Sequence, residues 1–127
     1  MINVQGLVKN YDGFCAVDHI DFTVHTGEIV ALLGPNGAGK TTTLRILTGY
    51  LAPSAGTVEI KGLSLKNQTR AIKQTIGYLP ESAPLYKNML VYDYLLFLAR
   101  VRGLDPALRH SRIKDIVQTC GLSRIMH

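Results

Sequence analysis

The octapeptide Gly34–Thr41 is the feature that most restricts how this chain folds. It fits the pattern G-x-x-x-x-G-K-[ST], in which a glycine-rich loop joins a strand to the N-terminus of a helix. The apolar run Ile29–Leu33 comes directly before it and predicts a buried strand of a parallel sheet. Thr42–Leu51 follows it with leucines at helical spacing and predicts the helix. The order of strand, loop and helix predicts a site for a nucleoside triphosphate.

The residue types in the loop suit an anion. Glycine permits positive φ and close approach of the backbone to phosphates, which we expect at Gly34, Gly37 and Gly39. The backbone N–H groups from about Gly37 to Thr42 are expected to form an anion nest at the helix N-terminus. Lys40 is placed to reach the β- and γ-phosphates, and the Thr41 hydroxyl is placed to ligate Mg²⁺. The predicted nucleotide-binding residues of the loop are Gly34, Pro35, Asn36, Gly37, Ala38, Gly39, Lys40, Thr41 and Thr42.

Length and apolar content favour one folded α/β unit that is part of a longer protein. The chain has 127 residues, which is short for an α/β nucleotide-binding enzyme. No apolar run approaches the roughly 18 to 20 residues of a membrane span, and the first residues lack the pattern of a signal peptide. We therefore expect that the chain is neither secreted nor membrane-spanning.

The net charge of +5 raises the question of nucleic-acid binding. Residues 91–127 carry six cationic and three anionic side chains, spread out and without interleaved aromatics. This pattern is typical of solvated helix faces, so we expect no nucleic-acid partner. Cys15 and Cys120 lie far apart and lack a metal-type spacing, which favours buried, reduced thiols.

Alternation and turn signals predict the remaining elements of the first part. Ile2–Val8 and Ile20–Val24 alternate apolar and polar residues and predict antiparallel strands around the turn Asp12-Gly13. Further predictions are a strand at Thr57–Ile60 before the turn Lys61-Gly62, a helix at Thr69–Lys73 capped by Asn67 or Thr69, and a strand at Thr75–Leu79. The predicted class is α/β, a P-loop NTPase core with a mixed sheet of antiparallel edge strands and parallel core strands.

From residue 91 the pattern becomes helical. One apolar stripe begins at Val91 and its helix ends at Gly103, while Asp105-Pro106 predicts the capped start of a second helix that stops before Gly121. The predicted division is a nucleotide-binding core at residues 1–90 and the beginning of a helical subdomain at residues 91–127.

The order of these motifs resembles the ATP-binding subunits of ABC transporters over the whole chain. Tyr11 resembles the A-loop aromatic that stacks on adenine, and the resemblance places Val17 near the base or the ribose. Residues 16–28 are similar to the family's run between A-loop and phosphate loop, and residues 51–58 to the stretch that follows. The resemblance implies ATP and Mg²⁺ as cofactors.

Ile76–Glu81 stands where this family has its Q-loop, with Glu81 in place of the usual Gln. A carboxylate is a hard oxygen ligand, so we predict that Glu81 keeps the metal contact and changes its strength. The alternative is a solvated glutamate after a turn. The Pro-Glu pair is similar to that of drug, sodium and gliding-related exporter ATPases.

The family's Walker B, signature and switch-histidine segments have no counterpart in this sequence. We therefore expect no catalytic residue in this segment, which should bind ATP and not hydrolyse it. The four histidines lack the switch context and are predicted to be structural or surface residues: His19, His25, His110 and His127.

For the complete protein, the resemblance implies an ATPase that couples hydrolysis to movement of a substrate across a membrane. It implies a second ATPase subunit in a sandwich dimer, a permease that docks near residues 82–98, and a cytoplasmic location, peripheral on the inner face of the cell membrane. The candidate docking residues, which could instead be buried under the helical subdomain, are Tyr86, Met89, Leu90 and Tyr92.

Two alternatives of other classes remain open from the sequence. One is a soluble ABC-type ATPase that acts on ribosomes or nucleic acid. The other is a different P-loop protein, such as a GTPase or a small-molecule kinase, although the guanine-reading motif Asn-Lys-x-Asp does not occur.

Overall fold

The computed structural model describes residues 1–83 and 85–126. Pro84, inside the predicted docking range, and His127, predicted to be structural or surface, lie outside the described residues. The chain divides into two compact units, Met1–Tyr78 and Leu79–His127. The predicted boundary after residue 90, between the nucleotide-binding core and the helical subdomain, stays a prediction.

The first unit contains a four-stranded antiparallel sheet. Gly13, with φ of +76°, lies in the turn between the first two strands, which pairs Tyr11 with Phe14. Lys61 and Gly62, with φ of +54° and +78°, form the two-residue turn of the next hairpin. Both predicted turns are thus confirmed. In the order β2-β1-β3-β4, the strands are β1 (Ile2–Tyr11), β2 (Phe14–Val24), β3 (Ala55–Ile60) and β4 (Leu63–Ser64).

Two helices pack against this sheet, α1 (Lys40–Leu47) and α2 (Leu65–Thr75). Ile46 of α1 and Ile72 of α2 are fully buried together with Leu7 of β1, so apolar burial joins both helices to the sheet. The buried core consists of Val4, Leu7, Val17, Ile46, Val58, Ile60, Leu65 and Ile72.

The helix boundaries differ from the predicted ones. The first helix ends at Leu47 rather than at residue 51, since the chain turns at Gly49, with φ of +71°. The second begins at Leu65, with Ser64 at the N-cap position instead of Asn67 or Thr69, but Gln68 within it has non-helical angles (φ −129°, ψ 30°). The element is therefore kinked at Gln68, and regular helix continues from residue 69, where the predicted helix begins. The Ser64 N–H donates to Oε1 of Gln68 at 3.1 Å.

The α/β class is confirmed, but the predicted parallel strands are not part of the described sheet. Residues 29–33 form no strand, and Ile29 and Leu33 are almost wholly exposed. Residues 76–79 form no strand either. A buried parallel strand depends on hydrogen bonds to neighbouring strands and on covering helices. Among the residues with described structure, no strand pairs with residues 29–33.

This exposure predicts a contrast between two identical substitutions. Ile29→Val should change the free energy of unfolding by less than about 0.5 kcal/mol, because its side chain is in solvent. Ile72→Val should cost about 0.5–1.5 kcal/mol, because it leaves a gap in the core. Urea unfolding of both variants measures the difference. Equal losses would show that residues 29–33 are packed in this chain.

The second unit contains α3 (Val91–Val101) and α4 (Pro106–Thr119). The predicted cap is confirmed, since the Ala107 N–H donates to Oδ1 of Asp105 at 2.9 Å. The hydroxyl of Tyr92 lies 2.9 Å from Nδ1 of His110 and links the two helices. Within the ranges 1–83 and 85–126, no helix combines the length and the hydropathy needed to cross a membrane.

The predicted burial of the cysteines is wrong. Cys15 and Cys120 are both exposed, and neither forms a disulfide. Cys15 lies next to the tip of the first hairpin and Cys120 directly follows α4. Ends of elements lie at the surface, where a small apolar side chain has little to pack against.

Candidate nucleotide-binding site

The loop between residue 33 and α1 has the backbone expected of a phosphate cradle at two of its three glycines. Gly37 and Gly39 have φ of +84° and +85°, as predicted. The expectation of positive φ at Gly34 is wrong. Gly34 instead lies close to Ala38 across the loop. A Cβ added to Gly34 would lie 3.2 Å from Cβ of Ala38.

Gly39 is the point where the loop meets the sheet. A Cβ at this position would lie 2.2 Å from the carbonyl oxygen of Ala16 and 3.2 Å from Cγ2 of Val17. Real Cβ atoms do not approach a backbone oxygen so closely, so glycine is required here for space as well as for φ. At Gly37, by contrast, a Cβ would meet nothing within 4 Å.

The N-terminus of α1 presents unused backbone donors beside these glycines. Thr43 closes the first turn, with its N–H and its hydroxyl 2.8 and 2.9 Å from the Gly39 carbonyl oxygen. No hydrogen bond in the described part of the chain uses the five N–H groups of Gly37, Gly39, Lys40, Thr41 and Thr42. The helix has no acidic residue in its first turn, so nothing there opposes an anion.

Lys40 bonds back onto its own loop. Its Nζ donates to the carbonyl oxygens of Gly34 and Pro35 at 2.6 and 2.7 Å. Over the residues described, no carboxylate forms an ion pair with Lys40. The ammonium group is therefore held over the loop by neutral acceptors, which a phosphate oxygen can replace with a stronger, charge-assisted bond.

Two of the three consecutive threonines of α1, Thr41 and Thr43, differ in the hydrogen bonding of their hydroxyls. The hydroxyl of Thr43, which is buried, is used by the Gly39 carbonyl, and the sequence had not singled out this residue. Its position one turn after Gly39, where threonine often bonds back to a carbonyl, was the available signal. The hydroxyl of Thr41 is exposed and makes no hydrogen bond to any described residue.

A cavity of about 480 Å³ lies between β2 and the loop. Its lining includes Gly37 and Lys40 of the loop and Phe14 and Val17 of β2. Val17 is also part of the buried core, and its contact with the base or the ribose stays a prediction. Tyr11 does not line the cavity. It is 45% exposed, and Nζ of Lys9 lies 5.4 Å from the centre of its ring.

Glu81 and the predicted docking residues belong to the second unit. Glu81 is exposed, and its predicted metal contact stays a prediction. Tyr86 and Leu90 are more than half exposed, and the Tyr86 ring packs edge-on against Phe97 at 6.0 Å. The described residues contain no cluster of three His, Cys, Asp or Glu side chains able to hold a metal ion.

The geometry agrees with a comparison against known families. The family described as "ABC transporter" matches residues 17–127. The chain belongs to this family. Membership of the ABC transporter family implies that ATP is the nucleotide ligand of the Gly34–Thr41 loop.

Individual ABC transporter proteins resemble the chain over nearly its whole length. It is 37% identical over 98% of its residues to the "Probable multidrug ABC transporter ATP-binding protein YbhF" of Escherichia coli, and covers 22% of that protein. It is 33% identical over 98% of its residues to the "Lipopolysaccharide export system ATP-binding protein LptB" of Haemophilus influenzae, and covers 53% of it.

A solved structure gives the same result for the fold. The structure entitled "Structure of ATP binding subunit of ABC transporter" matches 99% of the chain with a TM-score of 0.85 and 29% identity, and the match covers 52% of that structure. The chain therefore spans about half or less of the length of these relatives.

Proposed function

We propose that this chain is the ATP-binding part of an ABC transporter ATPase. The observation that carries the proposal is the cradle at the start of α1, where five unused backbone N–H groups adjoin Lys40. Donors of this kind at a helix N-terminus favour a polyanion through both hydrogen bonding and the helix dipole. A triphosphate supplies enough oxygens to satisfy the N–H groups and the ammonium together.

Binding begins with an exchange of partners at Lys40. The Nζ–carbonyl bonds to Gly34 and Pro35 break, and Nζ turns to the β- and γ-phosphates. The loop backbone needs little rearrangement, since Gly37 and Gly39 already have positive φ. The contact between Gly39 and the Ala16 backbone holds the cradle against the sheet during this exchange.

Mg²⁺ is proposed to arrive with the nucleotide. The free hydroxyl of Thr41 fits this ion, because Mg²⁺ is commonly held by one or two protein oxygens, several waters and the substrate phosphates. Held by Thr41, the ion would neutralise negative charge on the phosphate oxygens. Glu81 is proposed as a further oxygen donor that tunes the strength of metal binding.

The proposal for the complete protein extends beyond these residues. Residues 1–90 are assigned to the ATP-binding core and residues 91–127 to the start of the helical subdomain. A second ATPase subunit completes each site, and a permease docks near residues 82–98 at the inner face of the cell membrane, on its cytoplasmic side. Transport as the output of hydrolysis is supported by the relatives, whose names concern multidrug transport and lipopolysaccharide export.

Calorimetric titration with ATP, with and without Mg²⁺, tests the proposal. We expect ATP to bind and Mg²⁺ to tighten binding. Thr41→Val should weaken the Mg²⁺ effect by roughly tenfold or more, since it removes a ligand oxygen. Thr57→Val, the same change at an exposed position of β3, is the matched control and should behave as wild type. A wild-type chain that binds no ATP would contradict the proposal.

A further inference from the structure

We infer that Phe14 is a base-contacting residue of this site and sets its preference for the size of the base. The inference rests on the proposed function, because it concerns the same site. It differs from the resemblance, which points to Tyr11 as the aromatic that stacks on the base.

The cavity has Phe14 in its lining together with residues of the phosphate loop. Phe14 and Val17 line the same 480 Å³ cavity as Gly37 and Lys40. A nucleotide with its phosphates at Lys40 and its base in this cavity would bring the base into contact with the Phe14 part of the lining. Cavities of roughly 300–1,000 Å³ are typical of small-molecule sites, so the volume is sufficient.

The exposure of the Phe14 ring also fits a contact with a ligand. Phe14 is 59% exposed, so its apolar ring is accessible to a ligand. Stacking a base on the ring would remove this apolar surface from water. The neighbouring Cys15 side chain is turned to the backbone, with Sγ 3.3 Å from the Val17 carbonyl oxygen, so it does not cover the ring.

The hairpin register places Phe14 beside Tyr11. The two residues are directly opposite in the β1–β2 register, so their side chains lie on the same face of the hairpin. Phe14 lines the cavity, whereas Tyr11 lies outside it with Lys9 beside its ring. The two rings therefore offer a base two adjacent apolar surfaces, the nearer of which is Phe14.

An apolar ring forms no hydrogen bonds with a base, so its contribution to binding depends on the area of the base that stacks on it. The site should therefore favour purine over pyrimidine nucleotides and distinguish little between ATP and GTP.

Titration with ligands that have and lack a base tests this inference. Phe14→Ala should weaken ATP binding roughly 5- to 30-fold, the lower part of the range for loss of base stacking. It should weaken CTP binding less and leave inorganic triphosphate within about twofold of wild type. Phe14→Leu should recover only part of the loss, because leucine is apolar but not flat. Phe97→Ala, another partly exposed phenylalanine, is the matched control and should not change binding.

A second variant gives a readout that does not depend on affinity. The chain has no tryptophan, so Phe14→Trp introduces a single indole at this position. Its fluorescence should change on addition of ATP and stay constant with inorganic triphosphate. Wild-type ATP affinity in Phe14→Ala, or an equal loss for triphosphate and ATP, would overturn the inference while leaving the proposed function intact. Failure of wild type to bind ATP would instead overturn both.

Discussion

Lys40→Ala is expected to lower the affinity for MgATP by at least roughly 100-fold. The ammonium would otherwise make two or more charge-assisted bonds to phosphate, each worth about 1.5–3 kcal/mol. Stability should change by less than about 1 kcal/mol, because the bonds that are lost in the free chain go to exposed carbonyl oxygens of Gly34 and Pro35. Calorimetry measures the first effect and urea unfolding the second.

The control for this experiment is Lys66→Ala. It removes the same charge from an exposed position on α2, so it separates phosphate contact from the general attraction of a cationic protein for ATP. Lys66→Ala should keep wild-type affinity within about twofold at moderate salt. If both variants lost affinity equally, the Gly34–Thr41 loop would not be the phosphate site.

Gly39→Ala is expected to destabilise the first unit by about 2–5 kcal/mol and to abolish ATP binding. The added Cβ would lie 2.2 Å from the Ala16 carbonyl oxygen at a φ of +85°. Left-handed backbone costs about 1–2 kcal/mol for alanine, and forced overpacking about 1–3 kcal/mol more. To relieve the clash, either β2 or the start of α1 has to move, and either movement would displace the phosphate-binding loop.

Gly37→Ala is the matched control. Its φ is +84°, almost the same, but a Cβ there meets nothing within 4 Å. It should cost only the backbone term of about 1–2 kcal/mol and leave the helix start in place. Equal loss of stability in the two variants, measured by urea unfolding, would show that backbone conformation and not the contact with Ala16 decides the requirement for glycine.

Local signals predicted the elements that short-range physics controls. The Asp12-Gly13 and Lys61-Gly62 turns, the Asp105 cap and the phosphate loop all follow from backbone preferences and hydrogen bonds within a few residues. The same reasoning failed for residues 29–33. An apolar run favours burial, but a parallel strand is buried only when strands and helices distant in sequence pack against it.

The sequence by itself determined the class of fold, the position of the phosphate cradle and the residue types that serve it, because glycine, lysine and threonine act there through their own stereochemistry and charge. Only the tertiary structure decided that Gly39 is pressed against Ala16, that Phe14 and not Tyr11 lines the cavity, and that Cys15 is exposed. These facts depend on how the β1–β2 hairpin meets α1, a long-range contact that no local pattern encodes.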